Sequence, residues 1–494
     1  MPELTIDGKS VEVPEGSTIL QAADRVGADI PTLCHAPDVR PLTSCMVCVV
    51  KETVTGRMLP ACSAKAEDGM VIETASEEIR SARREVLQLL LSEHLGDCEA
   101  PCRRTCAAST DIPLMLRQIA KGDMAAAARI ARRDLVLPAT LGWVCAAPCE
   151  KTCRRGAYDE AISIRELHRR VAEEALENGL APPECDAATG KRVAVVGAGP
   201  AGLAAATVLQ RLGHVCHVFE KAEEPGGRFR KLPEDELPRR VLDAEIGLLR
   251  KIGVTFETGC EIGVVRPLKQ LREEYDAVIV TAGEHAADDA GGLFVAKTAA
   301  APVRAVANGK AAAEQVDCYL QSGASCTNSK LYDSRIGKLD PETLKRYVIN
   351  RVDQASLARP RDGGRPQEEA ARCLHCDCRT PVSCRLRHYA TAYGAKPGAH
   401  GTFGRPPLEI IQRCAGVLFE SGKCIRCGLC VEITRSAGEE LGLTFVNRGF
   451  DIRVAVPLGG TLEQGLRVSA QRCVEACPTG ALTFPDQEER KVCE

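Results

Sequence analysis

Cysteine is the residue that most constrains this chain, which holds 26 cysteines and one tryptophan in 494 residues. A chain of this length can bury a hydrophobic core large enough to need no disulfide bonds. The first residues, MPELTIDGKS, lack the pattern of a signal peptide, so we expect the thiols to lie in a reducing cytoplasm. Reduced cysteines in tight groups are better explained as metal ligands than as bridges. The composition therefore predicts a metalloprotein.

The remaining composition argues against several classes of protein. Lys and Arg (64) nearly balance Asp and Glu (67), the formal net charge is -3, and the sequence has no basic patch of the kind that binds nucleic acid. No apolar run approaches the ~20 residues that a membrane-spanning helix needs, so we expect no membrane span. At roughly 150 residues per domain, the length predicts roughly three or four domains.

The cysteines assigned to metal sites form five groups, separated by long stretches that are poor in cysteine. The groups are Cys34, Cys45, Cys48 and Cys62; Cys98, Cys102 and Cys106; Cys145, Cys149 and Cys153; Cys373, Cys376, Cys378 and Cys384; and Cys424, Cys427, Cys430 and Cys477. His94 precedes the second group. The identity of each site depends on the sequence that surrounds its group.

Residues 1–95 are expected to form a β-grasp domain. LTIDGKSVEV, two alternating runs around an Asp-Gly turn, predicts a hairpin, and PEGSTILQAADRVG predicts a helix with Ser17 or Thr18 as N-cap. A hairpin, a helix and a four-cysteine loop are typical of a ferredoxin, in which four thiolates hold a 2Fe–2S cluster. The cysteine spacing resembles the N-terminal ferredoxin domain of the large iron–sulfur subunit of complex I, and of NADH-linked hydrogenases and formate dehydrogenases. The alternative is a zinc site.

Residues 96–180 are rich in Ala, Arg and Leu and are expected to be helical. They resemble the N-terminal helical domain of the glutamate synthase small subunit, which dihydropyrimidine dehydrogenase also carries. The resemblance implies two 4Fe–4S clusters that share ligands from two cysteine runs. One would take Cys98, Cys102 and Cys153 with His94 as candidate fourth ligand, and the other Cys106, Cys145 and Cys149 with His168. The alternative is that each histidine is an ordinary residue of a surface or helix face.

Residues 190–325 are expected to form a Rossmann-like domain. A strand at 193–196 runs into G-x-G-x-x-G and then an Ala-rich helix, an arrangement that brings a pyrophosphate to the helix N-terminus. A carboxylate at the end of the second strand can bind ribose hydroxyls. The predicted cofactor-binding residues are Gly197, Gly199, Gly202, Glu220, Gly226 and Gly227.

The resemblance to the glutamate synthase small subunit continues here and implies that this fingerprint binds FAD. That family inserts a second Rossmann domain, for NADPH, after a segment like YDAVIVTAGEH (275–285). In this chain, residues 291–320 follow residues 275–285 almost at once and resemble the segment that closes the family's FAD domain. We therefore expect the NADPH domain to be absent. Lys297-Thr298 replaces the family's Gly-Asp. Bound NAD, or a degenerate domain kept for packing, stay open as alternatives to FAD.

Residues 326–410 are expected to be a linker, flexible at 355–371, that carries a four-cysteine motif. The sequence RCLHCDCRTPVSCRLRHYA has the spacing C-x2-C-x-C-x5-C. Four cysteines within a dozen residues should converge on one site, whether iron–sulfur or zinc, unless they are free thiols.

Residues 411–494 are expected to form a ferredoxin-like domain. CIRCGLCVEI and the later VEACPTGAL follow the bacterial ferredoxin pattern. They resemble the large iron–sulfur subunit of complex I, in which this pattern carries two 4Fe–4S clusters. Ile433, Arg467 and Ala470 stand where the second cluster would need cysteines, so one cluster remains, on the fifth group. Cys473 is predicted not to be a ligand, and a redox dithiol is the alternative function of the C-x2-C run.

The predicted fold is multidomain, of the α+β and α/β classes. It combines a β-grasp 2Fe–2S ferredoxin domain, a helical 4Fe–4S domain, a Rossmann-like FAD-type domain without an NADPH domain, and a C-terminal 4Fe–4S ferredoxin-like domain. The expected cofactors are one 2Fe–2S cluster, two to four 4Fe–4S clusters and FAD.

These features predict an electron-transfer subunit of an NAD(P)H-linked oxidoreductase complex. The sequence has no recognisable nucleophile–base motif, and no catalytic residue is assigned. The resemblances imply two partners: an NADH-oxidising FMN flavoprotein, and a hydrogenase, formate dehydrogenase or ferredoxin. One alternative is an autonomous FAD-dependent NAD(P)H oxidoreductase. The other is a non-redox scaffold with zinc-bound cysteines.

Overall fold

The computed structural model describes residues 1–281, 291–324, 331–349, 351–352, 365–396, 398–400, 410–414 and 416–484. Two parts of segments discussed above lie outside the described residues. They are residues 282–285 of the segment 275–285 and residues 355–364 of the predicted flexible connection. The chain divides into two compact units. Unit 1 comprises Met1–Glu99, Lys330–Arg351 and Asp377–Glu494, and unit 2 comprises Ala100–Ser329 and Val352–Cys376.

The strands and helices are numbered in chain order. The strands are β1 (Glu3–Ile6), β2 (Lys9–Glu12), β3 (Val49–Glu52), β4 (Arg57–Pro60), β5 (Val71–Glu73), β6 (Arg192–Val196), β7 (Val215–Phe219), β8 (Thr255–Glu257), β9 (Ala277–Val280), β10 (Leu293–Val295), β11 (Ile410–Cys414), β12 (Val417–Glu420), β13 (Thr444–Val446), β14 (Arg453–Ala455) and β15 (Leu482–Thr483). The helices are α1 (Ile19–Val26), α2 (Glu77–Glu93), α3 (Pro101–Thr105), α4 (Ile112–Lys121), α5 (Met124–Leu135), α6 (Pro138–Val144), α7 (Pro148–Lys151), α8 (Ile164–Glu177), α9 (Pro200–Arg211), α10 (Arg239–Lys251), α11 (Leu268–Glu274), α12 (Pro302–Ser322), α13 (Pro341–Ile349), α14 (Pro366–Ala371), α15 (Arg385–Ala392), α16 (Leu429–Ser436), α17 (Leu462–Gly465) and α18 (Ala470–Ala476).

Unit 1 begins with a five-stranded sheet in the order β2-β1-β5-β3-β4. The predicted hairpin is present as β1 and β2, and its turn residues Asp7 and Gly8 both have positive φ (48° and 79°), as a tight two-residue hairpin turn requires. Of the two predicted N-caps, Thr18 is the correct one, because its side chain accepts the Gln21 N–H while Gln21 bonds back to the Thr18 backbone. The helix α1 therefore begins at Ile19.

The rest of unit 1 is one hydrophobic core. This core is formed by the cysteine loop that precedes β3, by the helices α2 and α15, and by the C-terminal segments. One buried cluster contains a leucine from each of these parts: Leu33, Leu87, Leu386, Leu429 and Leu482. A small sheet in the order β11-β12-β15 and the hairpin β13–β14 complete this unit. Residues of the predicted linker and of the predicted ferredoxin-like domain thus fold together with the N-terminal domain.

Unit 2 combines a helical part, α3 to α8, with a parallel sheet in the order β10-β9-β6-β7-β8. Both parts share one core, in which Leu116, Ile130, Val171, Val195 and Val306 are buried. The predicted strand before the glycine fingerprint is β6, and the predicted helix after it is α9. None of the helices within the described residues is long and apolar enough to cross a bilayer.

Candidate cofactor sites

The first cysteine group lies in unit 1, where the thiols of Cys34, Cys45, Cys48 and Cys62 are all buried. Three of them lie in the connection between α1 and β3, and the fourth follows β4. Hydrogen bonds from Cys45 and Cys62 hold the pKa of Cys34 far below its usual value, and a bond from Cys62 lowers the pKa of Cys48. The four sulfurs therefore face one another, as a four-thiolate cluster site requires.

The fifth group also lies in unit 1, and its four residues line one small cavity with Pro478 and Leu482. Cys424, Cys427 and Cys430 come from the start of α16 and the loop before it, and Cys477 comes from the end of α18. Burial, followed by the neighbouring Cys424 and Cys427, raises the pKa of Cys430 well above its usual value.

The predicted non-ligand Cys473 is buried outside the lining of that cavity. Its thiol donates to the Cys430 carbonyl at 3.8 Å. The exclusion of Cys473 from the ligands stays a prediction, and this geometry agrees with it.

In unit 2, Cys106, Cys145, Cys149 and His168 line another small cavity. His168 lies on α8 and is fully buried, and burial lowers its pKa to about 4, so its ring is neutral at pH 7. Its Nδ1 lies 3.1 Å from the Pro138 carbonyl oxygen. A carbonyl can only accept, so Nδ1 carries the proton and Nε2 keeps the lone pair that a metal ligand needs. This supports the predicted ligand set, including the histidine.

The resemblance implied one cluster on Cys98, Cys102 and Cys153; this stays a prediction, and Cys102 and Cys153 belong to unit 2. Cys98 belongs to unit 1, where its carbonyl accepts the Cys378 N–H at 3.2 Å and its sulfur accepts the Ser334 N–H at 3.4 Å. Burial, followed by the neighbouring Cys378 and, more weakly, Cys98, raises the pKa of Cys384 to about 12.

The four-cysteine motif is likewise divided, because the boundary between the units falls between Cys376 and Asp377. Cys378 and Cys384 belong to unit 1, and Cys373 and Cys376 belong to unit 2. His94, the candidate ligand before the second group, is buried in unit 1 directly after α2. The short spacing of the motif predicts a single site, and this stays a prediction, since sequence distance does not show to which side each sulfur points.

The glycine fingerprint lies at the turn from β6 into α9 in unit 2. Gly197 has a φ of 100°, and a Cβ on Gly202 would stand 1.8 Å from the Gly197 carbonyl oxygen. A Cβ on Gly227 would stand 2.8 Å from Gly199 Cα. These positions therefore exclude side chains and leave the start of α9 open to an anionic ligand.

A cavity of about 480 Å³ extends from this turn. Glu220, directly after β7, lines it, and its carboxylate accepts the Ala198 N–H at 2.6 Å and the Ala222 N–H at 3.0 Å. Thr298 lines the cavity, but Lys297 does not and its side chain is exposed. The residues that replace the family's Gly-Asp therefore leave the cavity open, and the residues present fit a dinucleotide.

Sequence reasoning missed residues that contribute to these sites. Arg228 lines the dinucleotide cavity and could neutralise a phosphate, and its position directly after Gly226-Gly227 was the available clue. Thr281 also lines the cavity, and its hydroxyl donates to the Val196 carbonyl at 2.8 Å.

Comparison with family models finds three matching segments. Residues 2–77 match a 2Fe-2S iron-sulfur cluster binding domain, and residues 77–180 match domain II of dihydropyrimidine dehydrogenase, with its 4Fe-4S cluster. Residues 195–251 match an NAD(P)-binding Rossmann-like domain. The predicted mixed α+β and α/β fold with a ferredoxin-like, a helical iron–sulfur and a Rossmann-like domain is confirmed.

Parts of curated proteins are similar to this chain. It is 36% identical over 215 residues to the NADP(+)-dependent formate dehydrogenase subunit beta of Moorella thermoacetica, covering 39% of this chain and 30% of that protein. It is 40% identical over 148 residues to the NADPH glutamate synthase small chain of Bacillus subtilis, covering 30% of each. It is 30% identical over 262 residues to the NADPH-Fe(3+) oxidoreductase subunit beta of Geobacter sulfurreducens, covering 52% of this chain and 37% of that protein.

The chain thus spans less than half the length of these relatives. Among solved structures, an NAD+-reducing NiFe hydrogenase in the H2-reduced state aligns with 98% of this chain and 87% of its own, at 13% identity and a TM-score of 0.38, too low to support a conclusion. The chain carries 2Fe–2S and 4Fe–4S cluster-binding domains and is related to oxidoreductase subunits, as predicted.

Proposed function

We propose that this chain is an iron–sulfur and flavin electron-transfer subunit of an NAD(P)H-linked oxidoreductase complex in the cytoplasm. It relays electrons between an NADH-oxidising flavoprotein partner and a hydrogenase, a formate dehydrogenase or a ferredoxin-dependent module. The observation that carries the proposal is that the first turn of α12 lines both the dinucleotide cavity of unit 2 and a cysteine-lined cavity.

That arrangement depends on three closely spaced positions around the start of α12. Ala299 and Ala305 line the dinucleotide cavity, and Val303 lines the cavity of Cys106, Cys145 and Cys149. A flavin in the first cavity and a cluster in the second would face opposite sides of one short segment. The Rossmann turn and Glu220 would hold the dinucleotide, and the flavin would supply exchange of one or two electrons.

The cysteine groups of unit 1 are also close neighbours. Burial, followed by Cys477 and, more weakly, Cys34 of the first group, raises the pKa of Cys427. The Ser44 hydroxyl of the first group's loop donates to the Cys427 carbonyl at 2.7 Å. A series of neighbouring thiolate groups suits one-electron carriers, whose chemistry belongs to the cofactor while the protein sets spacing and environment.

Backbone N–H groups act directly on these thiolates. Arg426 donates its N–H to Cys424 Sγ at 3.4 Å, and Ser334 and Arg387 donate to Cys98 and Cys384 at the same distance. Such bonds stabilise the more negative, reduced state of a cluster and therefore raise its potential.

The test is reduction of the anaerobically purified chain, followed by visible absorption. We expect the absorption to bleach with dithionite, and with NADH once an NADH-oxidising FMN flavoprotein is added, whereas NADH or NADPH alone leaves it coloured. In the C45S variant, which disrupts the first group, reduction through the flavoprotein should be lost while dithionite still bleaches the other centres. A colourless wild-type protein contradicts the proposal, and rapid bleaching by NADPH alone replaces it with the autonomous enzyme.

A further inference from the structure

We propose that Cys373 and Cys376 complete an iron–sulfur site with Cys102 and Cys153 inside unit 2. The four-cysteine motif would then serve two sites rather than one. The inference rests on the proposed function, since it needs iron–sulfur chemistry in this chain, and it deepens that function by assigning the ligands of one centre.

A buried ionic network fixes the segment of Cys153 to the segment of Cys373. Arg155 and Arg372 are both fully buried, and Arg155 donates to the Arg372 carbonyl at 3.2 Å. Both guanidinium groups pair with Asp159, Arg155 at 2.6 Å and Arg372 at 3.4 Å. Because removing one partner of a buried ion pair leaves an uncompensated buried charge, this network holds the two cysteine segments together.

The network has a second branch on α14. The guanidinium of Arg372 pairs with Glu369 at 2.9 Å, and the same carboxylate accepts the Ser163 N–H at 2.9 Å. The helix that leads into Cys373 is therefore tied to the segment that leads into α8.

The backbone of Cys373-x2-Cys376 has the shape of the ferredoxin-type run. His375 has a φ of 45° and donates its N–H to Cys373 Sγ at 3.4 Å. Arg426 has a φ of 53° and donates its N–H to Cys424 Sγ at 3.4 Å. Positive φ is uncommon and strained for residues with side chains, and it persists where the surrounding structure requires it. Two C-x2-C runs that share this strain and this hydrogen bond are expected to wrap the same kind of group.

The remaining two ligands lie next to this run. Cys102 is on α3, and the hydroxyl of Thr152, next to Cys153, donates to the carbonyl of Pro101, next to Cys102, at 3.4 Å. Cys102 and Cys153 also pack against the hydrophobic cluster that contains Cys373. On α4, the guanidinium of Arg117 lies 3.4 Å from His375 Nδ1. Four thiolates around a cluster carry net negative charge, and a cation at that position would stabilise it.

The proposed assignment leaves Cys98, Cys378 and Cys384 in unit 1. Substitutions in the two halves of the four-cysteine motif should therefore remove different clusters. We expect C102S and C376S each to remove the same EPR signal and about four iron atoms, and C102S/C376S to remove no more than either single variant. C376S/C384S should remove two signals and about eight iron atoms. C185S, at an exposed and isolated cysteine, should keep the full iron content.

The experiment measures iron, acid-labile sulfide and dithionite-reduced EPR spectra of anaerobic, full-length protein. If C376S/C384S loses no more than either single variant, the motif forms one site and the inference is wrong. Where a serine variant does not fold, C102D, C376D and C384D replace it, since a carboxylate can keep iron bound. C102D and C376D should then shift one signal and C384D another, and a common shift in C376D and C384D overturns the inference. A wild-type chain without iron and sulfide instead overturns the proposed function itself.

Discussion

At the scale of the residue, His168 shows how a neighbour determines what a side chain can bind. The Pro138 carbonyl accepts a hydrogen bond from Nδ1–H, which keeps the proton on Nδ1 and leaves the lone pair of Nε2 free to bind a metal. Nothing in the sequence near position 168 records this, because the carbonyl lies 30 residues earlier in the chain. The sequence predicted the histidine only through a resemblance.

Substituting His168 tests its role as fourth ligand of the Cys106 group. We expect H168C to retain the cluster at a lower midpoint potential, because an anionic thiolate replaces a neutral imidazole. H168A should lose about one iron atom or the whole signal of that cluster. EPR-monitored redox titration measures both effects, and H217A, at the half-buried histidine of β7, is the matched control. An unchanged spectrum in H168A would show that the histidine is not a ligand.

At the scale of the element, local sequence was sufficient wherever one turn or one helix end decides the geometry. The Asp7-Gly8 turn, the start of α1 and the turn from β6 into α9 all follow from short-range rules on φ and capping. Spacing alone could not place Cys376 and Cys378 in different units, because that division depends on long-range contacts such as the Arg155–Arg372 pair.

The close contact inside the β6–α9 turn gives a prediction about flavin binding. In G202A, the new Cβ would meet the Gly197 carbonyl oxygen at 1.8 Å, so α9 must move away from the turn that would hold the pyrophosphate. We expect loss of bound flavin and a lower thermal midpoint for the variant. Flavin quantitation measures the first effect and calorimetry the second, both on the purified protein.

The matched control is G247A on α10, where a Cβ would meet nothing within 4 Å. Because alanine is favoured over glycine inside a helix by about 1 kcal/mol, this variant should keep its flavin and be slightly more stable. Wild-type flavin content in G202A would show that the flavin does not bind at this turn.

At the scale of the whole molecule, the two units are not successive in the chain. Unit 1 is assembled from three segments and unit 2 from two, and the boundaries at Glu99 and at Cys376 both fall inside cysteine runs. The predicted domain limits were linear, so residues 331–349 were expected in a linker, whereas Ser334 and Tyr332 bond within unit 1 to Cys98 and Thr391. A linear reading of motifs cannot detect that a domain is interrupted, because each motif is local.

The cores of both units contain cysteines assigned to the clusters, so we expect the stability of the chain to depend on iron. Cys34, Cys384 and Cys427 belong to the core cluster of unit 1, and Cys106 and Cys373 to that of unit 2. Removing the clusters would leave buried thiols facing one another without the bonds that hold them, and metal binding that occurs only in the folded state is folding free energy.

Iron removal by a chelator under mild oxidation, followed by reduction, should therefore lower the thermal midpoint by at least roughly 5 °C. A loss of 1 kcal/mol moves the midpoint of a domain of 150–250 residues by about 2–4 °C, and more than one site would be lost. Calorimetry of holo and apo protein measures the shift, and C185S with its iron intact should melt like the wild type. Equal midpoints for holo and apo protein would mean that the cysteine cavities pack as well without metal. The clustered thiols would then have to be explained by packing alone.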